Sequence, residues 1–310
     1  MTGSSAVAVG VFDGLHLGHR AILERALARA REPAGRCVVV SFDPHPDVVL
    51  SRVEFRIPPP LTPIPEKRAR LRAMGVDELR IVPFTRELAA LSPEAFVEQH
   101  LVAPCAPHAL VVGNGFALGR GRAGNVERLR AIGATHGFVV DEMPLFEVDG
   151  APVSSTRIRG LLVEGRVREA AVLLGSPYEL AGRVMTGEGI GRTLGFPTAN
   201  IRLHDEKLLP ADGIYAARVA IGGASSGPQQ GAPLPGAMSI GMRPTFDGRS
   251  RTIEVHVIDW SGDLVGRELS VELVDWLRPE RRFESPAELV AAMREDVEET
   301  RRRLRALAPA

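Results

Sequence analysis

GVFDGLHLGH, residues 10–19, connects an apolar run to an amphipathic segment and decides how the first half of the chain folds. The run before it predicts a β-strand, and the apolar spacing after it predicts a helix over 18–31. Because Gly14 allows a tight turn, His16 is expected on the loop and His19 in the first helical turn. Backbone N–H groups at a helix start suit a phosphate, and imidazoles can add hydrogen bonds. The two histidines alone leave an alternative open, in which His16 caps the turn and His19 faces solvent.

The composition is that of an ordinary globular protein, with 45% hydrophobic and 25% charged residues. A length of 310 residues predicts two domains. Basic and acidic side chains number 38 each, so no charge excess attracts nucleic acid or an anionic membrane. The N-terminus is interpreted as a first strand and not a signal peptide, and no apolar run reaches the roughly 18 residues that span a bilayer. We expect small-molecule partners, no nucleic acid and no membrane, and leave homo-oligomerisation open.

Cysteine usage points to the compartment. Cys37 and Cys105 lie in or next to apolar stretches and lack CxxC spacing. This favours reduced core thiols over a disulfide or a zinc site, and therefore a cytoplasmic protein.

The first half of the chain alternates strand and helix patterns. Further strands are predicted at 37–42, 79–84, 108–113 and 137–143, and helices near 65–74, 93–102 and 123–135. Strands that are apolar on both faces and alternate with helices predict a parallel α/β sheet covered on two sides. Ligands of such sheets collect at the carboxyl ends of the strands, where residues 10–19 lie.

The pattern changes after a helical run predicted at 154–175. Alternating strands and Gly/Pro turns then predict a small antiparallel β-barrel, with 222–236 as a flexible hairpin insertion. A closing helix is predicted at 285–307. Its expected packing stripe is Leu289, Met293, Val297, Thr300 and Leu304, and its ion pairs join Glu298 and Glu299 to Arg302 and Arg303. The predicted fold is a Rossmann-like α/β domain, residues 1–175, followed by a β-barrel domain with a C-terminal helix, residues 176–310.

Two further motifs of the first domain carry chemistry. SFDPHP (41–46) places Asp43 and His45 at the end of the second strand, although Asp-Pro is also ordinary turn chemistry. VSSTRIR (153–159) supplies hydroxyls that can cap a helix and arginines that can bind phosphate as bidentate forks. Its candidate residues are Ser154, Ser155, Thr156, Arg157 and Arg159.

GRGRAG (119–124) matches the GxGxxG pattern of dinucleotide sites and has Asp141 downstream. The preceding strand is predicted to end at Gly113, six residues before the first glycine, whereas the fingerprint needs a strand that runs straight into it. A dinucleotide site here is therefore disfavoured.

The barrel has its own chemical motifs. In GRVMTGEGIGRTLGFPTANI (182–201), glycine N–H groups could hold phosphate oxygens, although a hairpin turn explains the glycines as well. The Thr198 hydroxyl and the Asn200 carbonyl are neutral oxygen ligands for a Mg²⁺ already bound by ATP. A phosphoryl transfer also needs a proton acceptor, and Glu254 in IEVHVID is the candidate, unless it is only a solvent-facing strand carboxylate.

The pairing of His16-Leu-Gly-His19 with VSSTRIR resembles the nucleotidyltransferase superfamily. Class I aminoacyl-tRNA synthetases share the histidine motif, but their Lys-Ser-Lys loop is not found. Adding SFDPHP, GRTLGFPTAN, IEVHVID and LRPERRF, the order of motifs resembles the family of bacterial bifunctional riboflavin kinases/FMN adenylyltransferases over nearly the whole chain. The resemblance implies that the barrel converts riboflavin and ATP to FMN, and that the α/β domain converts FMN and ATP to FAD and pyrophosphate.

The resemblance also implies residue roles. In the α/β domain, His16 and His19 would be catalytic, and ATP phosphates would be bound by Gly10, Phe12, Asp13, Gly14, Ser154, Thr156, Arg157 and Arg159. In the barrel, Glu254 would be catalytic, Gly187, Gly189 and Gly191 would bind phosphate, and Thr198 and Asn200 would hold Mg²⁺. The flavins would be bound by Asp43, His45, Asn114, Phe116, Arg278 and Phe283. ATP is the co-substrate of both reactions.

Four positions depart from the family pattern. Gly115 stands where Asp or Asn is usual before Phe116, and Leu118 replaces a second Phe. Met242 replaces a commonly polar residue and Val265 a Tyr, which would alter the kinase flavin pocket. Two alternatives follow. One is a riboflavin kinase with a degenerate adenylyltransferase domain, and the other is a non-catalytic flavin-responsive regulator, for which no nucleic-acid signature is visible.

Overall fold

The computed structural model describes residues 4–32, 34–51, 59–187, 189–203, 205–222, 232–245 and 248–307. The chain divides into two compact units, Met1–Ser155 and Thr156–Ala310. Most of the predicted insertion at 222–236 lies outside the described residues.

The first unit is built on a five-stranded sheet in the order β3-β2-β1-β4-β5, and all neighbouring strands are parallel. Its strands are β1 (Ser5–Val9), β2 (Arg36–Asp43), β3 (Glu78–Pro83), β4 (Pro107–Gly113) and β5 (Val139–Met143). Its helices are α1 (Leu17–Arg31), α2 (Pro46–Leu50), α3 (Ile64–Ala73), α4 (Arg86–Ala89), α5 (Pro93–Val97), α6 (Ala103–Cys105) and α7 (Val126–His136). A two-stranded ribbon, β6 (Glu147–Val148) and β7 (Ala151–Pro152), completes it. The parallel α/β sheet predicted from the sequence is confirmed.

The central strands pack a core on each face of the sheet. Val7 and Val9 of β1 belong to one core, while Ala6 and Ala8 belong to the other. Such two-sided burial is the reason that β1 is apolar throughout and does not alternate. Cys37 and Cys105 are free and buried in these two cores.

Two predicted helices are interrupted. The one at 93–102 consists of α5 and a π-helical turn, Glu98–Val102, that leads into α6. The run at 154–175 is two helices, α8 (Ser155–Val163) and α9 (Val167–Leu174). Gly165 separates them with a φ of +78°, and a Cβ there would lie 3.4 Å from the Trp276 ring. The helical spacing of the sequence does not reveal this break.

The second unit is a closed six-stranded barrel in the order β10-β11-β12-β9-β8-β13, and each strand is antiparallel to its two neighbours. Its strands are β8 (Tyr178–Met185), β9 (Ala199–Leu203), β10 (Gly213–Ile221), β11 (Leu234–Thr245), β12 (Gly248–Val257) and β13 (Glu268–Arg278). A short helix, α10 (Ile190–Thr193), precedes β9, and α11 (Pro286–Ala306) closes the chain. The predicted antiparallel barrel with a C-terminal helix is confirmed.

Helix α11 buries the predicted stripe in part. Thr300 is buried, the other predicted residues are partly buried, and Ala292 and Asp296 are buried although they were not predicted. Asp296 is buried because it forms a two-pronged ion pair with Arg278 of β13, at 2.8 and 2.7 Å. The expected pair between Glu299 and Arg303 is present at 2.6 Å.

The division between the units falls twenty residues before the boundary predicted at 175. Helices α8 and α9 pack with the barrel, since Ala211 N donates to the Leu162 carbonyl at 3.0 Å and Arg168 lies 3.7 Å from Asp275. No helix in the described part of the chain is long and apolar enough to cross a membrane.

Candidate active sites

The loop after β1, residues 10–16, is held in shape by its own side chains and by the segment before α3. The buried carboxylate of Asp13 accepts the backbone N–H groups of Leu61 and Thr62 at 3.1 and 2.9 Å. Gly14 has a φ of +89°, and its N–H donates to the Thr62 hydroxyl at 3.1 Å. Asp13 therefore stabilises the loop, and the phosphate role implied by the resemblance is not needed to explain it.

His16 and His19 lie together where α1 begins. His16 is the N-cap of α1, and its Nδ1 accepts the His19 N–H at 3.3 Å. The two rings stack with centroids 3.6 Å apart and planes inclined by 17°. His19 is only partly exposed, and its Nδ1 is buried with no hydrogen-bond partner among the described residues. The alternative taken from the sequence is thus correct about the cap, whereas His19 does not point freely into solvent.

Burial keeps both histidines neutral at neutral pH. It lowers the pKa of His16 to about 4, against the attraction of Asp13 and a backbone hydrogen bond. It also lowers the pKa of His19 well below its ordinary value, with further lowering by His16 and by Lys67. Because His16 Nδ1 accepts a hydrogen bond, its proton is assigned to Nε2, which leaves an N–H donor beside the start of α1.

The second phosphate motif begins at the same loop. The Ser155 hydroxyl, at the first residue of α8, donates to the carbonyl of Asp13 at 2.8 Å. Thr156, Arg157 and Arg159 follow in α8, and Ser154 directly precedes the helix. The hydrogen bond between Ser155 and Asp13 links the two motifs that the sequence paired.

The residues predicted to bind flavin in the first unit follow β2 and β4, the two neighbours of β1 in the sheet. Asp43 is exposed at the end of β2, and His45 caps α2, its Nδ1 accepting the Asp47 N–H at 3.1 Å. Asn114 is exposed after β4, and Phe116 packs partly against a core. These residues therefore share the carboxyl edge of the sheet with the loop 10–16.

Gly115 and Leu118 have structural explanations. Gly115 has a φ of +67°, a conformation that Asn and Asp adopt more readily than other side chains. Its Cβ position is open, so glycine here preserves the backbone of the family pattern and removes only a polar side chain. Leu118 is buried and belongs to a core.

The GRGRAG segment is not a dinucleotide loop. Strand β4 ends at Gly113, and a turn of 3₁₀ helix, Arg120–Arg122, lies between it and α7. Gly119 and Gly124 pack tightly, since Cβ atoms there would lie 2.9 Å from Pro93 N and 2.8 Å from Leu118 Cδ1. The glycines serve packing, which explains why the pattern misleads.

Two cavities in the described part of the barrel, named A and B, include residues predicted for the kinase site. Cavity A, about 360 Å³, is lined by residues that include Glu254, His256, Arg278, Phe283, Met293 and Asp296. Cavity B, about 540 Å³, is lined by residues that include Gly187, Gly189, Asn200, Trp260 and Val265. Thr198 lines both cavities, and its hydroxyl donates to Glu254 Oε2 at 3.0 Å. Met242 lines cavity A, whereas Val265 lines cavity B, so the two departures from the family pattern do not share one pocket.

Strand pairing and close packing fix the turn that carries Thr198. Asn200 of β9 is paired directly with Glu254 of β12. A Cβ at Gly187 would overlap the Asn200 amide, so any larger residue there would force the Asn200 side chain to move. Gly191 likewise packs against the Phe196 carbonyl, while Gly189 has a φ of +72°. Two of the three glycines predicted to bind phosphate thus also shape this turn.

Several residues of cavity A escaped the sequence analysis. Met293 and Asp296 come from α11, where helical spacing indicates packing but not a cavity. His256 lies two residues after Glu254 on β12, and its Nδ1 lies 2.8 Å from the Pro197 carbonyl. The Arg278 and Arg281 guanidinium groups lie 5.9 and 4.9 Å from the Phe283 ring centroid.

The oxygen atoms near Thr198 suit Mg²⁺. They come from a hydroxyl, an amide and a carboxylate, which are hard ligands of the kind that this ion prefers. The described residues contain no group of three His, Cys, Asp or Glu that could enclose a metal. A Mg²⁺ that keeps its waters and arrives with nucleotide phosphates fits such a site.

Comparisons of the chain with known protein families and proteins agree with this geometry. The FAD synthetase family model matches residues 1–157 and the riboflavin kinase family model residues 174–304. A Listeria monocytogenes protein named bifunctional riboflavin kinase/FMN adenylyltransferase is 36% identical, covering 96% of this chain and 92% of that protein. An Escherichia coli K12 protein of the same name is 37% identical, covering 93% and 89%.

The fold also matches a solved structure. A crystal structure described as a macrolide-efflux protein from Streptococcus pneumoniae has a TM-score of 0.86 and 31% identity, covering 97% of this chain and 95% of that one. The chain belongs to the family of bifunctional riboflavin kinases/FMN adenylyltransferases.

Proposed function

We propose that the chain forms FAD from riboflavin in two ATP-dependent reactions, with adenylyl transfer assigned to residues 1–175 and the kinase to 176–310. Riboflavin and ATP give FMN and ADP, and FMN and a second ATP give FAD and pyrophosphate. Membership of both the FAD synthetase and the riboflavin kinase family supports the two reactions together. It does not support a kinase with a degenerate first domain or a non-catalytic regulator. The observation that carries the proposal is the Thr198–Glu254 hydrogen bond where the two barrel cavities meet.

In the kinase reaction, riboflavin occupies cavity A and ATP occupies cavity B. Phe283 and Arg278 offer the flavin a ring and a guanidinium. The Glu254 carboxylate accepts the proton of the riboflavin hydroxyl as its oxygen attacks the γ-phosphate, and ADP leaves. Thr198 points its proton at Glu254 and keeps its oxygen lone pairs for a cation.

Thr198 and Asn200 would hold Mg²⁺ in this site. Mg²⁺ bound to the phosphates neutralises charge on the transferring group. The N–H groups of Gly187, Gly189 and Gly191 would contact the phosphate oxygens.

In the adenylyl transfer, an FMN phosphate oxygen attacks the α-phosphate of ATP, and pyrophosphate leaves. The reaction needs no covalent enzyme intermediate, so binding and charge stabilisation supply the rate. The N-terminus of α1, His16 and His19 bind the phosphates as neutral donors, and Ser154, Thr156, Arg157 and Arg159 add hydroxyl and guanidinium contacts. The carboxyl ends of β2 and β4, with Asp43, His45, Asn114 and Phe116, receive the flavin.

A cytoplasmic location is part of the same proposal. Both reactions consume ATP, and both cysteines of the chain are free and buried. A cytoplasmic enzyme fits these observations.

The test is product analysis. The purified protein is incubated with riboflavin, ATP and Mg²⁺, and flavins are separated by chromatography over time. FMN should appear first and FAD later, and FMN supplied directly should give FAD. Accumulation of FMN without FAD would leave only the kinase half of the proposal.

A further inference from the structure

Lys67 is a buried lysine beneath the loop 10–16. It lies in the first turns of α3, and its side chain is 3% exposed. Its Nζ donates to the carbonyl of Val11 at 2.7 Å and lies 3.5 Å from the Ser41 hydroxyl. Val11 follows β1 and Ser41 belongs to β2, so the ammonium lies at the carboxyl edge of the sheet.

Both partners of this ammonium are neutral. A lysine is rarely buried without a charged partner, because removing an ammonium from water is costly. Burial lowers the pKa of Lys67, and the longer-range attraction of Asp13 and Asp43 opposes the lowering. Asp13 is itself engaged with two backbone N–H groups. The hydrogen-bond partners of the ammonium are thus uncharged, and Asp13 and Asp43 balance its charge only from a longer distance.

The positive charge of Lys67 acts on the proposed phosphate site at the start of α1. The Lys67 ammonium contributes to the low pKa of His19, after burial and His16. Since His16 and His19 are both neutral at neutral pH, the two histidines offer ATP hydrogen bonds but no positive charge, and Asp13 in the same loop is a carboxylate. A polyphosphate is strongly anionic, so a nearby fixed cation would stabilise it.

We propose that Lys67 is a positioning residue for adenylyl transfer: it holds the Val11 carbonyl at the start of the loop 10–16, and its ammonium supplies the fixed positive charge behind the neutral histidines that bind the ATP phosphates. The proposal rests on the proposed role of those histidines. It gives a reason for burying a lysine whose direct hydrogen-bond partners are uncharged, since the substrate phosphates would add to the longer-range attraction of Asp13 and Asp43.

The decisive variant is Lys67→Gln, whose amide can still donate to Val11 but carries no charge. Its kcat/KM for FAD formation should fall roughly tenfold or more, mainly through a higher KM for ATP. FMN formation by the same preparation should be unchanged, which serves as an internal control. Arg68→Gln is the matched control, because it removes an exposed positive charge from the same helix and should leave FAD formation unchanged.

Lys67→Met separates the charge from a structural role. Val11 would keep the Ser41 hydroxyl as a donor, at 2.9 Å, so Lys67→Met should unfold no more readily than the wild type while losing FAD formation. If Lys67 had only a structural role, Lys67→Met would instead lower both the stability and FAD formation, and Lys67→Gln would retain both.

Each outcome decides the matter. If the wild type forms FAD and Lys67→Gln matches it within twofold, the inference is wrong and the proposed function stands. If the wild type forms no FAD from FMN, the proposed function itself fails. If Lys67→Gln does not fold, Lys67→Met gives the same kinetic comparison, and if neither folds, Lys67 serves folding and the inference is wrong.

Discussion

The Thr198 hydroxyl donates to Glu254 Oε2 at 3.0 Å, and this bond connects the strand that follows the glycine-rich turn with the strand that carries the proposed base. Because Thr198 lines both barrel cavities, one side chain orients the base and faces the proposed nucleotide pocket. A substitution that removes this hydrogen bond should therefore lower the kinase activity even if the shape of the cavities is unchanged.

Substitution of Glu254 and Thr198 tests that relationship. Glu254→Gln should lower kcat for FMN formation about 10²- to 10⁴-fold, the range for loss of a general base. Thr198→Val should also lower it, because the hydroxyl is lost, whereas Thr198→Ser should keep most of the activity. Initial rates of FMN formation measure these effects. FAD formation from supplied FMN is the control in all three variants, and equal rates for Thr198→Val and Thr198→Ser would contradict the role of the hydroxyl.

The two functions of His16 can be separated. His16→Asn keeps an N-cap side chain, whereas His16→Ala removes it and should destabilise the first unit by about 0.5–2 kcal/mol. Both variants lose the imidazole N–H, so both should form FAD about 10²-fold more slowly. Urea unfolding followed by circular dichroism and FAD assays give the two readouts. If His16→Asn retained wild-type FAD formation, His16 would be only a cap.

Acid should destabilise the first unit through His16. The pKa of His16 is lowered to about 4 in the folded chain, so the unfolded chain binds more protons between about pH 4 and the ordinary value of 6.5. The stability is therefore present above pH 6.5 and is lost as the pH falls towards 4, by roughly 3 kcal/mol for this group.

Intrinsic fluorescence provides the control. Both tryptophans, Trp260 and Trp276, belong to the second unit, so their fluorescence follows the barrel. Circular dichroism should show a transition that shifts between pH 7 and pH 5 and shifts less in His16→Asn, while the fluorescence transition follows its own pH dependence. Equal shifts in wild type and His16→Asn would disprove the assignment to His16.

Gly115 should accept the residue types that its family carries there. Its φ of +67° costs an ordinary side chain roughly 1–2 kcal/mol, and Asn or Asp less. Gly115→Ala should therefore lower the unfolding midpoint of the first unit, while Gly115→Asn should lower it less. The KM for FMN in FAD formation, measured in Gly115→Asp, then reports whether the missing polar group touches the flavin. A larger destabilisation by Asn than by Ala would contradict the backbone explanation.

The sequence predicted the structure best where burial imposes a regular spacing of apolar residues, or where two motifs occur together. Because β1 and β4 are buried on both faces, they are apolar throughout, which predicts parallel strands. The alternation of apolar and polar residues in the second half of the chain predicts the barrel. The left-handed Gly165 that divides α8 from α9 leaves no trace in helical spacing, and β9 begins at Ala199, between the two predicted metal ligands Thr198 and Asn200.

The site residues that were missed act through tertiary contacts. Lys67 resembles any charged residue of an amphipathic helix, and only the fold shows its ammonium beneath the Val11 carbonyl. Asp296 is buried because Arg278 pairs with it from β13, eighteen positions away. The order of the motifs predicted the chemistry of the chain. Which further side chains support the sites depends on burial and on ion pairs that only the folded chain shows.

Two separate sites in one chain are the central claim, and His19→Ala and Glu254→Ala test it most directly. Each variant is supplied with riboflavin, ATP and Mg²⁺, or with FMN, ATP and Mg²⁺, and the flavins are separated by chromatography. His19→Ala should form FMN but no FAD, Glu254→Ala should form FAD only from supplied FMN, and a mixture of the two should form FAD from riboflavin. Loss of both reactions through either single substitution in a folded protein would contradict the account.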